Sequence, residues 1–156
     1  MQDSVDRQPE LADLILGVLR STLFSGRAFI RPSDLKRLAD SETESYLAFF
    51  ADGNREAVAE HGGELCRSGV GDEAILQLGE VLRQHVSYDQ DLIAMPDLRM
   101  AETYHRALLQ GYLIAQRDII LEEQERIRFA LQQTLHRYTI QVQTASEVAQ
   151  ATISTL

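Results

Sequence analysis

Apolar residues recur along this chain at helical spacing, in blocks separated by Gly, Pro and Asn. Leu11, Leu14, Ile15, Val18 and Leu19 follow Pro9, which suits a first helical turn because its missing N–H has no partner there, and Gly26 can close the segment. Pro32 and Ser33 open a second segment with Leu35, Leu38, Leu47 and Phe50 as its stripe, up to Gly53. Its polar run ADSETES, Ala39 to Ser45, is a point at which the segment could divide in two. Asn54 is placed to cap a third helix, with Val58, Leu65 and Cys66 facing inward and Gly69 near its end. Gly71, Asp72 and Glu73 open a fourth, since acids in a first turn oppose the positive end of the helix dipole. Its inward positions are Ile75, Leu78, Leu82 and Val86. SYDQDLIAMPD reads as a loop, and Pro96 or Asp97 begins a last helix that runs without proline to Leu156, interrupted only by Gly111. No segment shows strand alternation between turn signals, so the pattern predicts an all-α fold. The organisation it suggests is a helical bundle over 1–110 and a long helix over 111–156.

The last helix carries a second pattern. Ile120, Ile127, Leu131, Leu135, Tyr138, Val142, Ala145, Ala149, Thr152 and Leu156 form one seam. From Leu135 the steps alternate three and four, a heptad; from Ile127 to Leu135 they are four and four, a local stutter that relaxes supercoiling. Outside the seam, between Tyr138 and Leu156, the only charge is Glu147, and the rest is mostly Thr, Ser, Gln and Ala. Such a segment is weakly helical alone. The simplest stabilising partner is the same helix of a second chain in parallel, pairing through Ile120, Ile127, Leu131, Leu135, Tyr138, Val142, Ala145 and Ala149. The alternative, folding back on its own domain, needs a turn that the sequence does not encode. With no Gly, Pro or basic last turn to stop the helix, the expectation is that it continues into a further module.

Charge narrows the partners. The chain has 156 residues and a net charge of −9. Residues 1–96 hold 9 basic and 17 acidic groups, a sum of −8, and residues 97–156 hold 6 and 7, a sum of −1. An acidic front domain argues against nucleic acid and against an anionic membrane surface. No apolar run reaches the roughly 18 residues of a membrane helix. The polar, acidic start is unlike a signal peptide, and one cysteine, Cys66, excludes an internal disulfide, so a cytoplasmic setting is expected.

Three stretches, RPSDLKRLADSETESYLAFF, HGGELCRSGVGDEAILQLGEVLRQH and YHRALLQGYLIAQRDIILEEQERIRFAL, resemble the helical amino-terminal input domains of bacterial signalling proteins. These stand ahead of PAS, GAF, STAS or kinase modules. The nearest type is the amino-terminal domain of stressosome sensor proteins, which is globin-like without haem. LHRYTIQVQTASEVAQATISTL resembles the linker helix leading into a GAF domain in bacterial sensor kinases. The resemblance covers the chain from about Arg31 and implies a dimeric, non-catalytic sensory module that transmits through its exit helix, with no catalytic residues.

Candidate chemistry is sparse. His61-Gly62-Gly63 lies within a predicted helix, where two glycines cost roughly 2 kcal/mol relative to alanines. The functional reading is a ligand approaching the backbone; the favoured one is a close helix crossing at Gly62 and Gly63. A globin-like fold raises haem, and His85 ends the fourth helix where a proximal ligand could stand. Its surroundings, LGEVLRQHVSYD, do not resemble haem-bearing sensor globins, and a helix-end histidine near the negative dipole end is the plainer reading. Cys66 reads as an inert core residue. His105 lacks the following acid of a kinase phosphoacceptor box and reads as a surface residue. Glu122 and Arg126 form an i, i+4 pair on a solvated face, and Phe129 stands off the seam. No cofactor, metal or catalytic constellation is expected. A haem or small-ligand sensor and a protein-interaction scaffold are the competing functional classes.

Overall fold

The computed structural model of the chain describes residues 8–26, 29–88 and 95–156. Among these there are five helices and no strand: α1 (Gln8–Ser21), α2 (Pro32–Asp52), α3 (Arg55–Arg67), α4 (Asp72–Tyr88) and α5 (Met95–Ser154). The chain divides into two compact units, Met1–Gln116 and Arg117–Leu156. The first therefore includes Tyr112 and Ala115, both buried, beyond the boundary at 110 suggested by sequence. Most of the expected loop SYDQDLIAMPD lies outside the described residues, but its ends are helical, Ser87 and Tyr88 in α4 and Met95 to Asp97 in α5.

Local signals set the helix ends. Pro32 stands in the first turn of α2 after an extended Arg31, and α2 stops at Gly53, whose φ of 65° is left-handed and whose N–H donates to the Phe49 carbonyl at 2.7 Å. Asn54 Oδ1 accepts from the Ala57 N–H at 3.2 Å, capping α3. The polar run at 39–45 does not divide α2. Thr43 donates its hydroxyl to the Ala39 carbonyl at 2.8 Å, and Glu42 and Thr43 are buried rather than turned to solvent. The inward stripe of α2 is Leu35, Leu38, Glu42, Tyr46 and Phe49; Leu47 is exposed and Phe50 only partly buried. Likewise Leu14 of α1 is exposed while Leu11, Ile15, Val18 and Leu19 are core.

The core joins Leu11 and Ile15 of α1, Phe49 of α2, Leu65 of α3, Ile75, Leu78 and Leu82 of α4, and Tyr104 and Leu108 of α5. Two glycines decide how closely α3 and α5 cross. A Cβ on Gly62 would fall on the Leu108 carbonyl oxygen and within 3.1 Å of the Tyr112 nitrogen. A Cβ on Gly111 would fall on the Ala59 carbonyl oxygen and 2.7 Å from its Cα. Both obstacles are backbone, so neither can swing aside. Gly63 is different: a Cβ there meets only the Arg67 guanidinium, 3.2 Å away, so the crossing uses Gly62 and Gly111, not Gly63. Tyr112 fastens α5 further by donating to the Val70 carbonyl at 2.8 Å, where α3 gives way to α4.

Adding one methyl at these sites tests the crossing. Gly111→Ala should cost about 3 kcal/mol in urea unfolding through overpacking against fixed backbone. Gly17→Ala in α1 has nothing within 4 Å of its new carbon and should stabilise by about 0.5–1 kcal/mol. Equal effects at the two sites would show that the α3–α5 contact is looser than described.

Candidate functional site

The inward stripe of α2 places a carboxylate where an apolar side chain is the norm. Glu42 is 1% exposed and sits between Leu38 and Tyr46 on that stripe. Burying it unpaired would be prohibitive, so it needs partners. It has two, from two other helices. His61 of α3, 8% exposed, places Nε2 2.6 Å from Glu42 Oε2, and Tyr104 of α5, fully buried, donates its hydroxyl to Glu42 Oε1 at 2.8 Å. A carboxylate only accepts, so His61 Nε2 carries a proton towards Glu42. The second ring nitrogen, Nδ1, faces Glu64 at 3.8 Å, beyond hydrogen-bond length.

Electrostatics follow from this geometry. Burial opposes a charged imidazole at His61, but the hydrogen bond and charge of Glu42, with a smaller contribution from Glu64, outweigh it and raise its pKa above the usual histidine value. Tyr104 is held well above the ordinary phenol range, first by burial and then by the Glu42 charge, so it remains a donor. Tyr46 stacks edge-on to Tyr104 with ring centroids 5.0 Å apart. Its own buried hydroxyl has no hydrogen-bond partner among the described residues. His61 is the member of the cluster that reaches an open cleft, between α2 and α3. What it does chemically is tie α2, α3 and α5 together through one proton-bearing imidazole.

The other histidines fall elsewhere. His85 is half-buried in the last turn of α4. His105 is not a free surface residue: Nε2 donates to the Ile75 carbonyl at 2.9 Å, and its ring fills the space left by Gly79. His136 is exposed. Cys66 is half-buried against the core, and Glu122 and Arg126 are exposed. No group of three or more His, Cys, Asp or Glu that could hold a metal occurs among the described residues. None of the described helices is long and apolar enough to cross a membrane.

A second candidate lies on α5. Every residue from Leu121 to Leu156 is exposed within the single chain. The seam positions Ile120, Ile127, Leu131, Leu135, Tyr138, Val142, Ala145 and Ala149 therefore stand together on one uninterrupted helix, with Leu131 at 58% and Leu135 at 65% exposure. Sequence spacing along α5 separates this stripe from the buried one. Tyr104, Leu108, Tyr112 and Ala115 step by four, four and three, and then five residues lead to Ile120. A step of five fits neither the three- nor the four-residue spacing of a single stripe. Thr134, Thr139, Thr144 and Thr152 each donate to the carbonyl four residues earlier, which satisfies their hydroxyls without a partner.

The buried cluster predicts a pH dependence of defined sign. A folded-state pKa raised above the unfolded value makes the stabilisation complete below the ordinary histidine range. It is then lost as pH rises through the raised value. Urea midpoints should therefore fall between mildly acidic and mildly alkaline pH, and His61→Gln should flatten that slope. Glu42→Gln should cost about 3–5 kcal/mol at the acidic end, where a buried cation loses its counter-charge. A wild-type profile that rises over the same interval would contradict the pairing. Tyr104→Phe should destabilise by about 1–3 kcal/mol, whereas Tyr46→Phe, which removes an unpaired hydroxyl, should be neutral or gain about 1 kcal/mol. The reverse order in thermal unfolding would contradict the hydrogen-bond assignment.

Comparison of the chain with protein-family models, with curated proteins and with solved structures finds no match in any of the three.

Proposed function

We propose that this chain is a non-catalytic, dimeric sensory input module of the kind that its sequence resembles, with a globin-like bundle. Its output passes through α5 to a downstream kinase, GAF/PAS or stressosome-type partner. The observation that carries this reading is the seam. A helix of 60 residues keeps one face apolar over a stretch in which every position is exposed in the single chain. Large apolar side chains at heptad spacing stabilise a helix only by burial, and the seam is self-complementary about a two-fold axis. The off-seam surface after Tyr138 carries one charge, Glu147, among Thr, Ser, Gln and the exposed Ile140, Val148 and Ile153, and offers the isolated helix few stabilising ion pairs. The stutter from Ile127 to Leu135 supplies two packings of similar energy, which is what a transmitter requires.

A second reading, a small-ligand sensor, is favoured by one observation. A proton-bearing imidazole buried at a three-helix junction is a poor structural filler and a good detector of a nearby charge.

Sedimentation of wild type against the Leu131→Ala, Leu135→Ala double variant tests the dimer. Each substitution should cost about 2–5 kcal/mol of association if the leucines are fully buried in the pair, enough to give monomer at micromolar concentration. A wild-type monomer at high micromolar concentration, or a variant that dimerises equally well, would remove the seam as the interface.

A further inference from the structure

One opening in the bundle meets the buried cluster. Between α2 and α3 lies a cleft of about 380 Å³ lined by Arg37, Ser41, His61, Glu64, Arg67 and Ser68, over the apolar floor of Leu38 and Leu65. Its cations stand out in a bundle whose net charge is strongly negative. Gly63, which takes no part in the helix crossing, matters here: the Arg67 guanidinium lies back against its bare Cα, in space that a side chain would take. Arg67 shares the lining of the cleft with His61 and has no ion pair among the described residues. Arg37 is only loosely engaged, 3.7 Å from Asp34 and largely exposed.

We propose that this cleft binds a small phosphate-bearing ligand, with His61 Nδ1, Arg37 and Arg67 as its cationic donors and Ser41 and Ser68 as hydroxyl donors. Two planar guanidinium forks, an imidazole N–H and two hydroxyls offer more donors than the two oxygens of a carboxylate can accept. A phosphate dianion presents three oxygens and the larger charge. The volume accommodates a phosphomonoester of a small organic group, whose carbon portion would lie on Leu38 and Leu65. Glu64 now occupies the position facing Nδ1, but at 3.8 Å and 63% side-chain exposure it is a loose placeholder that an incoming anion would displace.

Binding needs the imidazolium, so affinity depends on every charge facing His61. The charges that act on His61 are Glu42 from α2 at Nε2 and Glu64 from α3 at Nδ1; the Tyr104 hydroxyl of α5 shares Glu42, and Arg37 of α2 and Arg67 of α3 line the same cleft. An anion on Nδ1 favours the charged ring, tightens its pairing with Glu42, and so alters the carboxylate that Tyr104 of α5 shares. The assignment deepens the sensory reading above and rests on it for its physiological meaning.

Calorimetric titration of inorganic phosphate into the full chain just below neutral pH, at ionic strength fixed with sodium chloride, tests the site. Saturable binding near millimolar affinity is expected, weakening as pH rises. Arg67→Gln should weaken it at least about tenfold, the loss of one charge-assisted hydrogen bond. Glu64→Gln should tighten it severalfold, a gain that a misfolded variant cannot imitate. Acetate should bind much more weakly. No saturable heat, acetate equal to phosphate, or phosphate binding indifferent to Arg67→Gln and Glu64→Gln would overturn the proposal. Sedimentation of the same samples separates this from the dimer: phosphate binding by a monomer keeps the cleft and removes the seam, and a dimer without phosphate binding does the reverse.

Discussion

The contact on which the bundle depends is the backbone-to-backbone approach of α3 and α5. Gly62 lies on the Leu108 carbonyl and Gly111 on that of Ala59, so the two helices touch with no side chain between them. Neighbouring residues are placed by that contact. His61 precedes Gly62, and Tyr104 lies one turn before Leu108, so the crossing that brings the glycines together also brings the imidazole and the phenol to the same depth. Glu42 then enters from α2 and is held by both. A wider crossing would separate the two donors and leave a buried carboxylate short of partners, which costs far more than the crossing's own van der Waals contacts return.

Buried ionic clusters are seldom the most stabilising filling for a core; apolar residues of the same shape often do as well or better. What such a cluster supplies is a defined arrangement and a response to charge. Here Glu42 engages one helix through each carboxylate oxygen, so His61 of α3 and Tyr104 of α5 share a single buried carboxylate. The same helix carries the exposed seam after its stripe restarts at Ile120. A single element thus serves both the core and the proposed partner, with its two apolar stripes at different phases along the sequence.

Much of the helical framework could be read from the chain. Pro32, Gly53, Asn54 and Asp72 mark ends that the structure keeps, because each acts through its own backbone or first turn. The cluster was harder to see. On α2 the steps 35, 38, 42, 46 and 49 are a regular helical stripe, but its middle member is Glu42, and an apolar-only search moves to Leu47 and Phe50 and reads 39–45 as a break. The same filter hides His61, which falls between Val58 and Leu65 in phase with them. A charged residue in register with an apolar stripe was the available signal. The partner that justifies it, Tyr104, is 62 residues away and could not be inferred from local pattern. Gly111 was visible as an interruption, yet only the three-dimensional crossing shows that it and Gly62, rather than Gly62 and Gly63, form the contact.

The proposed pairing of α5 is parallel and in register along one face. Because Cys66 is the only cysteine, a Cys66→Ser background permits a clean scan of single cysteines from Ile127 to Ala149 under mild oxidation. A parallel, in-register pair brings equivalent seam residues into disulfide reach and keeps the outer face apart. Cross-linking should therefore peak at Leu131, Leu135, Tyr138 and Val142 and be minimal at Phe129, Gln133 and Ile140. Uniformly weak cross-linking, or maxima on the Phe129–Ile140 face, would contradict it.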